Sequence, residues 1–376
     1  MNLKKYNWWM VIALTLIPIL GVLGTLIYVI NYGIVIQEPV LLILGWWFSG
    51  MGITFGYHRL FAHRSFKAHP IIQFFVILFG SAALQNSVLK WSSDHRKHHH
   101  KLDTNDDPYS IKEGFWHAHI GWILKNKHSC IQGVNDLKSN KILVWQHKHY
   151  FKIALIVSFL LPLFIGTFYG RPIGGLLWGG FLRVTLVHHF TFFINSLCHF
   201  VGKRPFDPNS TARDSWWLAY FTFGEGFHNY HHTFQWDYRN GVAWYAFDPG
   251  KWIIKFLSWF GLTKGIRQVS EYKILMKRIE SMKKTIQDQY LNIPEKLQEN
   301  YKKKIIQMQD VSNRISKSWR ELEKELSELK KSHLEDKFQL AILNQKKKLY
   351  RKEFDAVIND FSIMIISLKS SNYKLV

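Results

Sequence analysis

Apolar residues in this chain are bunched rather than spaced with a helical or strand period, and bunching on this scale points to a bilayer. Residues 8–31 form an uncharged run long enough to span one, preceded by Lys4 and Lys5. The run is too long for a signal peptide and lacks a small-residue cleavage site. A second apolar run, 38–57, whose one charge is Glu38 at its first position, ends at His58, and further apolar runs follow at 153–170 and 173–199. The connections 32–37 and 171–172 hold one basic residue between them, Arg171, whereas the N-terminus, 58–152 and everything beyond 200 are rich in Lys and Arg. The positive-inside rule therefore predicts four spans with both termini in the cytoplasm. Residues 70–89 make a fifth apolar stretch. Counted as a span, it would put His58 and His95 on opposite sides of the membrane, so it is predicted to lie in the interface or under a cytoplasmic cap. Trp8, Trp9, Trp46, Trp47, Trp116 and Trp122 fit an interfacial belt.

After about Gly265 the composition turns to Lys, Glu, Gln, Leu and Ile. Met308, Ile315, Leu322 and Leu329, with Trp319 and Leu326, give about three heptads. Pro294 marks one helix start, and Ser332 to Asp336 are expected to turn the chain before a helix from Phe338 to Leu368. The predicted architecture is thus an all-α integral membrane protein: a membrane domain over 1–264, with four transmembrane helices and a cytoplasmic cap, then a cytoplasmic helical hairpin or coiled coil over 265–376, through which copies of the chain could associate.

Composition narrows the partners. With 49 Lys and Arg against 27 Asp and Glu the formal charge is +22. In a chain with membrane segments this favours anionic lipid or an anionic substrate over nucleic acid. Only Cys130 and Cys198 are present, so no disulfide framework supports the fold and a reducing compartment suits it;.

The chemistry lies in three histidine boxes: His58 and His63; His95, His98 and His99; His228, His231 and His232. In the second and third the spacing is i, i+3, i+4, which puts three imidazoles on one helical face. In the first it is i, i+5, about 140° apart on an α-helix, so a helix end near Arg59 is predicted. Eight converging imidazoles cannot be buried without a cation to accept their lone pairs. Imidazole suits zinc, copper, iron and nickel, and eight ligands exceed one tetrahedral site, so two ions are implied.

These boxes, with their flanks Asp94-His95-Arg96-Lys97-His98-His99, Gly114-Phe115-Trp116-His117-Ala118-His119-Ile120-Gly121-Trp122 and Gly224-Glu225-Gly226-Phe227-His228-Asn229-Tyr230-His231-His232, resemble the membrane-bound fatty acyl desaturases of the stearoyl-CoA Δ9 type over about residues 8–262. The resemblance implies a diiron centre of two Fe2+ ions held by His58, His63, His95, His98, His99, His228, His231, His232 and the additional His199, with Asn195 acting through a water. It further implies that Gln85, Asn86, Trp91 and Lys127 contact the thioester arm or CoA, and that the second span closes the acyl tunnel near Trp46 and Gly50, where Gly50 leaves room and Trp46 fills it. Ser93 and Asn126 depart from the family pattern, standing where animal enzymes carry Arg; Lys97, Lys101 and Lys125 lie nearby.

Removing hydrogen from an unactivated C–H bond is beyond any protein acid or base, so a redox metal must activate oxygen, and zinc cycles no electrons. Iron, O2 and an external electron donor, cytochrome b5 or a ferredoxin with its reductase, are therefore expected. Asp94, Asp103, Asp107 and Glu225 are candidates to orient the imidazoles. His188 and His189, inside the fourth apolar run, are either functional or packing residues. Alternative activities are desaturation of acyl-lipid or acyl-carrier-protein substrates, hydroxylation by a related diiron site, and, more remotely, metal transport or sensing without catalysis.

Overall fold

The computed structural model describes residues 6–125, 130–331 and 337–373. Elements are almost entirely helical, with one antiparallel pair of two-residue strands, Lys67–Ala68 and Thr263–Lys264. The chain divides into two compact units, one of Met1–Lys203 with Ser210–Gln268, the other of Arg204–Asn209 with Val269–Val376.

Among the described residues of the first unit three helices are long and apolar enough to cross a bilayer: Trp8–Tyr32, Gln37–Ala62 and Lys141–Thr167. The first starts at Asn7, whose side chain accepts from the Met10 N–H, and stops at Gly33, where φ is 66°; that left-handed turn is cheap only for glycine. The third begins at Lys141 rather than at 153, because Asn140 caps it and its polar first turns are used. Gln146, fully buried there, donates to the Tyr57 hydroxyl at 2.9 Å and the Ser81 hydroxyl at 3.0 Å.

The fourth apolar run is helical over 172–195, but the helix breaks at Ser196, and His199 rides on the separate turn Leu197–Phe200. It is not among the three span-like helices, since it carries a buried Arg183 along with His188 and His189. Arg183 donates to the carbonyls of Gly179 (2.7 Å), Ala82 (2.7 Å) and Ser158 (3.3 Å) and to the Ser49 hydroxyl (2.8 Å), tying four helices together. His188 donates to the Ala83 carbonyl at 2.9 Å.

Residues 70–89 hold the helix Pro70–Ala82, whose 13 residues reach only about 20 Å, short of a ~30 Å hydrocarbon core;. It packs instead on Gln37–Ala62: a Cβ on Gly52 would sit 2.2 Å from the Gly80 backbone nitrogen. Trp8, Trp9 and Trp116 are exposed, but Trp46 and Trp47 pack against the buried core.

In the second unit Glu271–Leu291, Glu295–Lys331 and Lys337–Tyr373 share one core containing Leu275, Ile279, Ile315, Trp319, Phe354 and Leu368. Pro294 stands just before the second of these helices. Heptad residues Met308, Ile315, Trp319 and Leu322 are buried, with a third helix contributing to the core, which explains why the heptads fade after three repeats. The turn expected at 332–336 lies outside the described residues.

Candidate metal centre

The second-box helix, Val88–Lys101, is opened by Ser87, whose hydroxyl accepts from the Lys90 N–H, and the third box sits on His228–Thr233. Both are helical, as the spacing requires. The first box departs from expectation: no helix end falls near Arg59. From Gly52 to Ala62 the helix is wound as a π-helix, and the His63 N–H donates to the His58 carbonyl at 3.0 Å. An i→i+5 bond stacks residues five apart, so the wider winding puts both imidazoles on one face.

Nine imidazoles converge. His58, His63, His95, His99 and His231 form one set and His98, His199, His228 and His232 another, the nitrogens within each set lying within 4.8 Å of one another. Asn195 is half-buried at the end of its helix, four residues before His199.

The tautomers decide what this arrangement can hold. His58 Nδ1 donates to Glu225 at 3.0 Å and His98 Nδ1 to Asp107 at 2.8 Å. His199 Nδ1 donates to Thr211 Oγ1 at 2.8 Å, and that hydroxyl donates to Asp103 at 2.5 Å. With Nδ1 carrying the proton, each Nε2 is a bare lone pair. Yet His58 Nε2 faces His231 Nε2 at 3.0 Å, His199 Nε2 faces His228 Nε2 at 3.0 Å, and His98 Nε2 faces His232 Nε2 at 3.4 Å. Burial, reinforced by repulsion among the neighbouring imidazoles, pushes His63, His95, His99, His228, His231 and His232 well below the ordinary histidine value, so they are neutral at pH 7. Converging neutral lone pairs in a dry site repel unless a cation lies between them, so the donor set fits two metal ions.

Glu225 holds the first set in place. Its carboxylate accepts from Thr54, from His58, from Arg59 at 3.4 Å and from Asn240 at 2.7 Å. Burial raises its pKa, but His58 and Arg59 outweigh that and leave it below the ordinary glutamate value. Arg59 is in turn fixed by Asp248 at 2.7 Å. Asn240, Asp248 and Thr211 carry no sequence signal, being outside every box. Asp94 ion-pairs with Lys90.

Beside the first set lies a cavity lined by Trp46, Gly50, Ile53 and Thr54, by Val187, Phe190, Thr191 and Ile194, and by Phe221 to Phe223 with Glu225. Gly50 does not leave room there, contrary to the reading of the sequence. Its notch is filled: a Cβ on Gly50 would lie 1.9 Å from the Phe223 ring, which also packs on Trp46 with ring centroids 4.6 Å apart.

Gln85 donates to the cavity-lining Thr191 at 2.9 Å and accepts from Trp91 Nε1 at 3.3 Å, while Trp91 stacks on His95 with centroids 4.7 Å apart. Asn86 meets the Tyr150 hydroxyl through its backbone N–H at 2.8 Å. Lys127 and Asn126 lie outside the described residues. Ser93 is buried and exchanges hydrogen bonds with the backbone of Gln132. Lys125 is paired with Glu113 and Lys101 with Asp106, while Lys97 is exposed.

A fatty acid desaturase family model matches residues 36–256 of this chain. A probable acyl-CoA desaturase of Schizosaccharomyces pombe is 39% identical over 297 residues, covering 76% of this chain and 60% of the relative. Acyl-CoA desaturase 1 of Saccharomyces cerevisiae is 40% identical over 242 residues, covering 63% of this chain and 48% of its own. The sn-1 stearoyl-lipid 9-desaturase of Anabaena variabilis is 34% identical over 231 residues, covering 61% and 83%. The chain thus spans about half to three-fifths of the length of the two yeast relatives. It belongs to the fatty acid desaturase family and is an integral membrane protein with apolar helices.

Proposed function

We propose that this protein is an O2-dependent desaturase that inserts a cis double bond, at the Δ9 position, into a saturated acyl-CoA. The carrying observation is the convergence of nine buried and half-buried imidazoles in sets of five and four, in a chain of this family. The five-histidine set would hold one iron and the four-histidine set, with Asn195 through a water, the other. When bound, such a pair supplies the oxygen activation that C–H cleavage requires. In the balance, one O2 takes two hydrogens from the substrate, two electrons delivered one at a time by a separate donor, cytochrome b5 or a ferredoxin with its reductase, and two protons from solvent, and leaves as two waters.

The protein's own part is positioning. Glu225, Asp107 and Thr211 with Asp103 keep His58, His98 and His199 in the tautomer that turns Nε2 inward;. The largely apolar cavity beside them suits an alkyl chain;. Gln85, Asn86, Trp91 and Lys127 are assigned to the thioester arm and CoA. The helix over 172–195 counts as a fourth span, with both termini and the metal centre cytoplasmic. Residues 1–264 form the catalytic domain and 265–376 a helical tail.

A second reading, acyl-lipid as substrate, draws on Ser93: buried and tied to Gln132, it offers no charge to a CoA phosphate. A lost charge-assisted contact weakens binding by ~1.5–3 kcal/mol. Purified protein supplied with iron, reductant and donor should convert saturated acyl-CoA to the Δ9 alkene more readily than the matching phospholipid, and Lys127→Glu should raise KM for the acyl-CoA. Preference for phospholipid with K127E silent overturns the acyl-CoA assignment. An alcohol in place of an alkene identifies a hydroxylase, and metal binding with no oxidised product leaves a transporter or sensor.

A further inference from the structure

We propose that Phe223 sets how deeply an acyl chain enters the cavity, its ring acting as the stop. The inference rests on the desaturase reading above and adds the residue that selects chain length.

Three elements line the cavity. Trp46, Gly50, Ile53 and Thr54 follow one face of the helix Gln37–Ala62, and Val187, Phe190, Thr191 and Ile194 follow one face of the helix over 172–195. The third wall is the stretch from Phe221 to Phe223, with Glu225. On the first helix Thr54 marks the end nearer the metal centre, because it hydrogen-bonds Glu225, the partner of His58. Gly50 lies eight residues before His58, about two helical turns further from the metal centre;. At that level the wall is bare backbone, and the bore would widen into the notch. Phe223 closes it. Its ring presses on Gly50 and packs against Trp46 (4.6 Å) and Trp47 (5.5 Å), with only 5% of the residue exposed.

The backbone shows that the ring is held there deliberately. Phe223 sits at φ 53°, a left-handed conformation that a bulky side chain seldom adopts, and Gly224 follows at 97°;. The turn is secured by Gly224 N–H on the Ala219 carbonyl at 2.9 Å and Glu225 N–H on the Thr222 carbonyl at 3.1 Å. The same short turn therefore carries both the stop and the carboxylate that orients His58. The separation between the metal centre and the stop is fixed within three residues of chain, which makes the turn a ruler for the methyl end of the substrate.

The test compares wild type with Phe223→Ala and with Phe223→Leu, which keeps an apolar side chain should the alanine variant misfold. Each is purified and assayed for iron content, for equilibrium binding of saturated acyl-CoAs of graded length without O2, and for product profile. The smaller side chains should shift the optimum toward longer chains. A chain two carbons beyond the wild-type optimum should gain roughly tenfold in affinity relative to that optimum, the worth of two more buried methylenes. Gly50→Ala, which pushes on the ring, should shift the optimum the other way. An unchanged rank order of chain lengths in F223A or F223L with wild-type iron content overturns the ruler and leaves the desaturase reading standing. Wild-type protein that binds no acyl chain and forms no alkene overturns both.

Discussion

Glu225 Oε1 accepts a hydrogen bond from His58 Nδ1 at 3.0 Å, both residues almost wholly buried, so the carboxylate decides which nitrogen of His58 is left to bind a metal. Glu225→Gln keeps the shape but turns an amide N–H toward Arg59 or Asn240, themselves donors. Loss of such an outer partner typically costs ten- to a hundredfold in metal affinity or activity. E225Q should lose iron on dialysis more readily than wild type and lose activity by a factor in that range; unchanged iron retention and turnover would show that Glu225 serves only packing.

The two histidine sets predict separable losses. Wild-type protein made with ample iron should carry about two irons per chain. His231→Ala depletes the five-membered set and His98→Ala the four-membered one, and each variant should retain about one iron, insert normally and form no alkene. Full activity in either would dismantle the diiron assignment. One zinc with no redox activity would point to a structural site.

Arg183 is buried on donors' work alone, its guanidinium reaching three carbonyls and the Ser49 hydroxyl. Arg183→Met leaves the Ala82 carbonyl, at the end of its helix, without that charged donor. A stability loss of about 2–4 kcal/mol follows from removing charge-assisted bonds at a four-helix junction. Thermal unfolding in detergent measures it, and a Tm equal to wild type would mean that water or lipid takes over the carbonyls.

Asp214 supplies a pH signature. Burial raises its carboxyl from 3.8 to about 7, although the Tyr230 and Asn229 N–H groups pull the other way. The folded protein therefore keeps a proton that the unfolded chain releases above about pH 4. This contribution to stability is complete below pH 4 and is lost as pH rises toward 7, on the order of 4 kcal/mol at most. Asp214→Asn retains an oxygen for the Tyr230 N–H and removes the titration. Tm should then fall less between pH 4 and 7, and an unaltered slope would place the titrating group elsewhere.

Removal of residues 270–376 should leave desaturation largely intact, because all nine converging histidines lie before residue 233 and the three tail helices share a core of their own. A correctly inserted but inactive truncation would assign the tail to donor docking or assembly.

Much of this architecture was legible in the chain itself. Apolar runs reveal candidate spans because a bilayer imposes length and hydropathy on each segment separately, and the i, i+3, i+4 boxes declare one face because α-helical geometry is local. Of the carboxylates near the boxes, Asp107 meets His98 only nine residues away, within local reach. What local rules could not supply came from packing. The i, i+5 box works through a π-helix instead of a helix end, and that helix packs with Gly52 against Gly80. The division into five and four, the relay from Asp103 through Thr211 to His199, and the clasp of Asn240 on Glu225 all join residues far apart in sequence. Gly50 is the sharpest case. A glycine in sequence reads as space, but whether that space is open depends on what folds into it, and here the ring of Phe223, 173 residues further along, arrives to fill it.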